Sequence, residues 1–118
     1  NSIRRTKIPL HWSVEISKAY IENNFDKNIT LKELANLYFI NEKYLGRLFK
    51  KQIGKSFSEY LNDIRLSRAK QLLTETQNSV TEIALGCGYQ NTTYFNRVFK
   101  RSTGLSPTQY RGQRLIAD

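Results

Sequence analysis

Two clusters of hydrogen-bonding and cationic side chains recur in this 118-residue chain at the spacing of one helical face. Asn41, Lys43 and Arg47 precede Lys50 and Lys51 in the first; Thr92, Thr93, Asn96 and Arg97 precede Lys100 and Arg101 in the second. A guanidinium presents a planar fork of donors, and a carboxamide sets a donor beside an acceptor. These groups match the patterned edges of base pairs in the major groove. Arg47, with Lys43 and Asn41 beside it, suits the O6 and N7 acceptors of guanine, Asn96 suits adenine, and the methyls of Thr92 and Thr93 suit the thymine methyl. Arg97 suits either guanine or a phosphate. Lys50, Lys51, Lys100 and Arg101 lie further along and match phosphates, which supply salt-dependent affinity without sequence preference. Glu42 has two readings, acceptance from a cytosine amino group or pairing with a neighbouring lysine.

Other chemistry finds little material. His11 has no second His, Cys or paired carboxylate at ligand spacing, and Cys87, the only cysteine, has no thiol partner for a disulfide or a zinc site. Its place between Gly86 and Gly88 reads as packing. No phosphate-binding glycine loop or nucleophile motif occurs, so neither cofactor, metal nor enzymatic activity is expected. The 19 Lys and Arg against 10 Asp and Glu give a formal charge of +9, which favours polyanionic partners, nucleic acid or an anionic membrane surface. No apolar run approaches the roughly 20 residues of a membrane span, so no membrane association and a cytoplasmic, nucleoid-associated location are expected. The start at Asn1 and the polar, basic stretch 1–9 read as the remnant of a linker.

The elements that must position these clusters are helical, because apolar residues recur at three and four positions and strand-like alternation is missing. Trp12, Ile16, Ala19, Tyr20 and Phe25 outline a first helix over 10–24. Thr30 with Glu33 forms a capping-box pattern ahead of Leu31, Leu34, Ala35 and Leu37. After a turn at Tyr38-Phe39-Ile40, Asn41 caps a helix whose buried stripe is Tyr44, Leu45, Leu48 and Phe49, and Gly54 ends it. A long connector runs over 56–74, with Arg65 and Arg68 solvated or paired with Glu59 or Asp63. Ser79 or Thr81 opens a short helix through Ile83, Ala84 and Leu85. Asn91 caps another with Tyr94, Phe95, Val98 and Phe99 inside, Gly104 ends it, and Ser106-Pro107 opens a last helix. Seven helices result, an all-α chain organised as 1–9, 10–55, 56–74 and 75–118.

The arrangement is a duplication. Tyr44, Arg47, Phe49, Lys50, Gly54, Ser56 and Tyr60 return fifty positions later as Tyr94, Arg97, Phe99, Lys100, Gly104, Ser106 and Tyr110, and Glu33-Leu34-Ala35 matches Glu82-Ile83-Ala84 after a one-residue insertion. Each half holds a capped short helix, a turn, and a second helix with an apolar stripe and a basic outer side, the layout of a helix-turn-helix. Lys43, Arg47, Lys50, Lys51 and Lys55 stand against Glu42 alone in the first, and 91–114 contains Arg97, Lys100, Arg101, Arg111 and Arg114 with no acid.

The pattern Ile83-Ala84, Gly88-Tyr89, Asn91, Tyr94-Phe95, Phe99-Lys100-Arg101, Gly104, Ser106-Pro107 and Tyr110-Arg111 resembles the signature of AraC/XylS-family transcription regulators, with similarity from Trp12 to Arg114. The resemblance implies two helix-turn-helix subdomains joined by a long helix, with recognition helices entering successive major-groove segments of double-stranded DNA. It further implies a unit that binds as a monomer, with an N-terminal regulatory region able to pair two chains, and gives the second arginine, Arg97, a role in phosphate contact or intramolecular pairing. Gly46 departs from relatives that carry a longer polar side chain there. The competing class is a basic helical interaction module docking RNA polymerase or another acidic partner; a membrane-surface module conflicts with apolar stripes already committed to a core.

Overall fold

The computed structural model describes residues 10–117, with side chains from 14 to 113. The expected linker 1–9 and the parts given to His11, Trp12 and Arg114 lie outside these described side chains. Among the described residues there are seven α-helices and no strand: α1 (Leu10–Asn24), α2 (Leu31–Leu37), α3 (Glu42–Ile53), α4 (Phe57–Glu75), α5 (Val80–Gly86), α6 (Thr92–Thr103) and α7 (Pro107–Ala117). Two compact units, Asn1–Asn62 and Asp63–Asp118, divide the chain, and their boundary falls inside α4. The apolar stripe of α4 shows why. Phe57 and Leu61 are buried, as are Leu66, Ala69 and Leu73, but Leu61 and Leu66 are five residues apart. No single helical face carries all five at 3.6 residues per turn.

In the first unit, α3 packs against both α1 and α2. The buried face of α1 is Val14, Ser17 and Ile21, at i, i+3 and i+7. This differs from the stripe read from the sequence: Ile16, Tyr20 and Phe25 are only half-buried and Ala19 is exposed. A phenol is not readily buried without a partner. Tyr20 therefore sits at the flank, donating its hydroxyl to Glu33 Oε2 at 2.8 Å. That bond, with partial burial, raises the Tyr20 pKa above the ordinary tyrosine value. It also draws on the carboxylate expected to complete a capping box. Thr30 Oγ1 accepts the Glu33 amide at 3.1 Å, so one half of the box is made while the Glu33 carboxylate serves Tyr20. Leu37, read as part of the apolar stripe of α2, is 54% exposed.

The second unit gathers Leu66, Ala69, Leu73, Ile83, Ala84, Cys87, Tyr89, Phe95, Val98 and Phe99 into one core, with Leu72, Val80 and Tyr110 packed on it. Cys87 is fully buried, the packing role its neighbours implied. Edge-on aromatic contacts repeat at the fifty-residue offset: Phe49 meets Tyr60 with ring centres 5.5 Å apart, and Phe99 meets Tyr110 at 5.3 Å. Arg65 lies over the Tyr89 ring at 5.6 Å, and Arg68 donates to Gln71 Oε1, contacts the sequence did not anticipate. Burial pushes the Tyr89 phenol well above the usual tyrosine range, so it stays neutral at any physiological pH.

Helix ends are fixed by side chains. Ser56 closes a reciprocal box with Glu59, Ser79 with Glu82, and Ser106 with Gln109, each serine oxygen accepting the third residue's amide while that residue's side chain accepts the serine amide. The connector accordingly starts at Phe57, since Ser56 leaves the helix to cap it, and Ser79 rather than Thr81 opens α5. Gly54 and Gly104 end α3 and α6 in the left-handed region, at φ 87° and 82°. At the other end of α4, Arg111 donates from Nε to Leu73 O at 2.9 Å and from one terminal nitrogen to Thr76 O at 3.3 Å and Asn78 O at 2.7 Å. These carbonyls lie at and just past the helix C-terminus, where the macrodipole favours a cation.

Charge-assisted bonds of this kind contribute about 1.5–3 kcal/mol. Arg111→Ala is expected to lower unfolding stability by about 2 kcal/mol in urea titration, and Arg111→Lys to leave most of that loss, since an ammonium cannot span three carbonyls as the fork does. The capping boxes predict a pH dependence. The Ser56 amide, then Lys50, holds Glu59 below the usual carboxylate range, and the Ser79 amide does so for Glu82. A depressed carboxylate stabilises the fold above its unfolded pKa and loses that contribution as pH falls through its folded value. Stability followed from pH 6 to about 3 is therefore expected to fall less steeply in Glu59→Gln/Glu82→Gln than in the parent, with the Gln109 box indifferent throughout.

Candidate nucleic-acid interface

The two recognition helices are placed by the same backbone turn. After α2, Tyr38, Phe39 and Ile40 donate their amides to Leu34 O, Asn36 O and Ala35 O; after α5, Cys87, Gly88 and Tyr89 donate to Ile83 O, Leu85 O and Ala84 O. The middle residue is left-handed in both, Phe39 at φ 60° and Gly88 at φ 99°. Glycine takes that conformation without penalty, whereas a side chain crowds the following carbonyl. The turn then delivers Asn41 and Asn91 in extended conformation, and their Oδ1 atoms accept the amides of Tyr44 and Tyr94 at 2.9 and 2.7 Å.

Each recognition helix buries one narrow stripe: Leu45, Leu48 and Phe49 in α3, Phe95, Val98 and Phe99 in α6. Tyr44 and Tyr94, read as members of that stripe, are instead 38% and 47% exposed. The reason lies in spacing. Residues i, i+3 and i+4 already fill the inward arc, and the residue immediately before them falls about 100° away. Tyr94 stands beside Arg97, whose guanidinium lies 5.5 Å from its ring centre. The adjacency Tyr44-Leu45 and Tyr94-Phe95 was the available signal that one of each pair faces outward.

Lys43, Arg47, Lys50 and Lys51 are all exposed on α3, and Thr93, Asn96, Arg97, Lys100 and Arg101 on α6. The fifty-residue offset superimposes Lys43 on Thr93, Arg47 on Arg97, Lys50 on Lys100 and Lys51 on Arg101, so each helix carries one outer face at i, i+4, i+7 and i+8. Two expected readers stand apart from these faces. Asn41 has its carboxamide oxygen committed to the helix cap, which leaves only the amide nitrogen to offer a base. Thr92 is half-buried with its hydroxyl donating to Thr81 Oγ1 at 3.4 Å. Lys50 lies 3.6 Å from Glu59, with both side chains about 60% exposed. A pair so open is worth little and leaves the lysine available to a phosphate. Arg111, counted on sequence among the cations of the second half, is turned to the carbonyls at and just past the end of α4.

Besides the Lys43–Thr93 and Lys51–Arg101 pairs, the helices differ in bulk at a position flanking these faces. Where α6 carries Asn96, α3 carries Gly46, and there the surface opens into a hollow of about 630 Å³ lined by Leu31 of α2 and by Glu42, Lys43, Arg47, Lys50 and Lys51 around the glycine. A β-carbon at Gly46 would come 3.1 Å from Leu31 Cδ2. Leu31 is half-buried, so its methyl is the surface seen through the missing side chain.

A helix-turn-helix domain family model matches residues 34–113. The C-terminal domain of AraT, a response regulator from Geobacillus stearothermophilus, is 36% identical with a TM-score of 0.84, covering 86% of this chain and 85% of that one. A transcriptional regulator from Chromobacterium violaceum, described with AraC-type DNA-binding domain-containing proteins, is 28% identical with a TM-score of 0.79, covering 86% and 91%. The uncharacterized HTH-type transcriptional regulator YijO of Escherichia coli (strain K12) is 37% identical over 99 residues, 84% of this chain but 35% of YijO. The chain spans well under half the length of the curated relatives it matches. With the turn, the capped second helix and the left-handed stop present in both halves, the chain belongs to the AraC-type helix-turn-helix family of transcriptional regulators.

Proposed function

We propose that this chain binds double-stranded DNA sequence-specifically, as the DNA-reading part of a transcription regulator, through α3 and α6. The observation that carries this reading is the outer face of α6: Thr93, Asn96, Arg97, Lys100 and Arg101 are all exposed, and the helix contains no acid to neutralise them. A face that pairs neutral hydrogen-bonding groups in the first turns with cations further along separates base-edge chemistry from phosphate chemistry along one helix. On α3, Arg47 and Lys43 take the base-reading part and Lys50 and Lys51 the phosphates. Thr93, Asn96 and Arg97 read bases from α6, with Lys100 and Arg101 on the backbone. The amide nitrogen of Asn41 and the methyl of Thr92 act at the margins of the two footprints.

Arg97 draws support for base reading from its neighbour. A guanidinium held against an aromatic face is restricted in its rotamers before it meets a ligand, which reduces the ordering cost of a bidentate contact. Helix N-termini add unequally to the phosphate set. The first turns of α2 and α5 carry Glu33 and Glu82, which repel an anion, whereas α7 has no acid there and its Ser106 box is closed by neutral Gln109. A DNA-reading role places the chain with the nucleoid in the cytoplasm.

Selection of bound duplexes from a random pool tests the reading: a motif enriched more than about tenfold over background at physiological salt is expected, and failure to enrich any sequence overturns it. Once a motif is in hand, Arg47→Ala and Thr93→Ala are expected to relax base preference at separate positions, each by about 1–3 kcal/mol. Lys51→Ala is expected to weaken all sequences alike and reduce the slope of log K against log salt by about one.

A further inference from the structure

The hollow at Gly46 is not explained by the needs of the helix. Glycine inside α3 is less favourable than alanine, and Gly46 has no left-handed backbone to require it. What it changes is the surface: it removes a side chain from the flank of the outer face that borders α2 and brings the Leu31 methyl to the floor of a hollow whose walls are Glu42, Lys43, Arg47, Lys50 and Lys51. An apolar floor inside a rim of four cations and one carboxylate, Glu42, is net positive and complementary to a polyanion that projects a small apolar group. In the major groove, one base substituent has that character, the 5-methyl group of a pyrimidine, carried by thymine and by 5-methylcytosine. We propose that the Gly46 hollow is a specificity pocket for a pyrimidine 5-methyl group, with Leu31 as its contact surface. The proposal rests on the DNA reading given above.

Several observations fit together here. Leu31 opens α2 next to the Thr30 cap, so its backbone is held by the helix start while its side chain reaches under α3. Arg47, one residue along from the glycine, is positioned to take the neighbouring base, which makes the pocket and the fork parts of one footprint. The other half has Asn96 at this position, a side chain that hydrogen-bonds base edges in place of a hollow. The two duplicated helices thus present different chemistry at equivalent points, so the two halves of a bound site are expected to differ in sequence. Leu31 and Gly46 act together: the leucine supplies contact, and the glycine gives access to it.

The test uses the full chain and the best duplex from random-pool selection. Each thymine is replaced singly by deoxyuridine, which deletes the methyl and keeps every hydrogen-bonding group. At one thymine the parent chain is expected to lose about fourfold in affinity, the effect of one buried methyl. In Gly46→Ala, whose added carbon covers the flexible Leu31 methyl 3.1 Å away, that thymine and deoxyuridine are expected to bind equally, while sensitivities elsewhere in the duplex persist. Those persisting sensitivities, with an unchanged far-ultraviolet spectrum, show that the variant is folded; Leu31→Ala is expected to narrow the same difference. At that position 5-methylcytosine paired with guanine is expected to bind better than cytosine, separating the methyl from the A·T pair. Deoxyuridine without effect in the parent, or methyl discrimination unchanged in Gly46→Ala, overturns the pocket and leaves DNA reading standing. A pool with no enriched sequence overturns the reading beneath it and the pocket with it.

Discussion

The backbone hydrogen bond that closes each interhelical turn, from Ile40 to Ala35 O and from Tyr89 to Ala84 O, governs the rest of the interface. It forms only if the preceding residue turns left-handed, and it brings the next helix back across the first at a fixed approach. Ala35 and Ala84 are both fully buried at that crossing, where a larger side chain would hold the helices apart. Once the turn is set, the extended Asn41 and Asn91 accept the third amides of α3 and α6, those of Tyr44 and Tyr94, and the inward stripes follow. The outer faces inherit their orientation from this geometry. The exposed polar and cationic groups need no hydrogen bond of their own to face outward.

Much of this was legible in the residues because each local signal has one strong physical cause. Gly54 and Gly104 read as helix stops because a left-handed end favours glycine, and Asn41 and Asn91 as caps because their short side chains reach a helix amide. The fifty-residue duplication made each assignment in one half a check on the other. What did not read correctly were residues whose chemistry points both ways. Tyrosine counts as apolar in a periodicity, yet Tyr44 and Tyr94 carry a hydroxyl that favours the surface, and Tyr20 placed its hydroxyl on Glu33. Arginine counts toward a basic face, yet Arg111 reaches carbonyls 33 to 38 residues away. Long-range partners leave no spacing in the sequence to find.

The duplicated halves have diverged where duplication no longer constrains them. Phe39 occupies the left-handed turn position that Gly88 fills in the other half, and is 69% exposed there. Glu59 and Gln109 complete equivalent caps with and without a titrating group. Gly46 and Asn96 divide the outer faces into one that is hollow and one that is filled. Frame positions kept their residue types, Phe49 with Phe99, Tyr60 with Tyr110 and Gly54 with Gly104, and so did the exposed pairs Arg47 with Arg97 and Lys50 with Lys100, while Lys43 against Thr93 and Gly46 against Asn96 diverged. Shared architecture with unequal readers is how a duplication can address a sequence that is not itself a repeat.

The Arg111 clasp imposes an order of events on the second unit. Its acceptors, Leu73, Thr76 and Asn78, are synthesised 33 to 38 residues before the guanidinium that binds them. Helical turns and the local α5–α6 pairing can form as the chain emerges, since they close short loops, but the clasp closes a long one and must wait for α7. Until then the carbonyls at the end of α4 lack the guanidinium that caps them in the folded unit. The first unit, Asn1–Asn62, holds none of the clasp's partners, so its helices can pack before α7 is made.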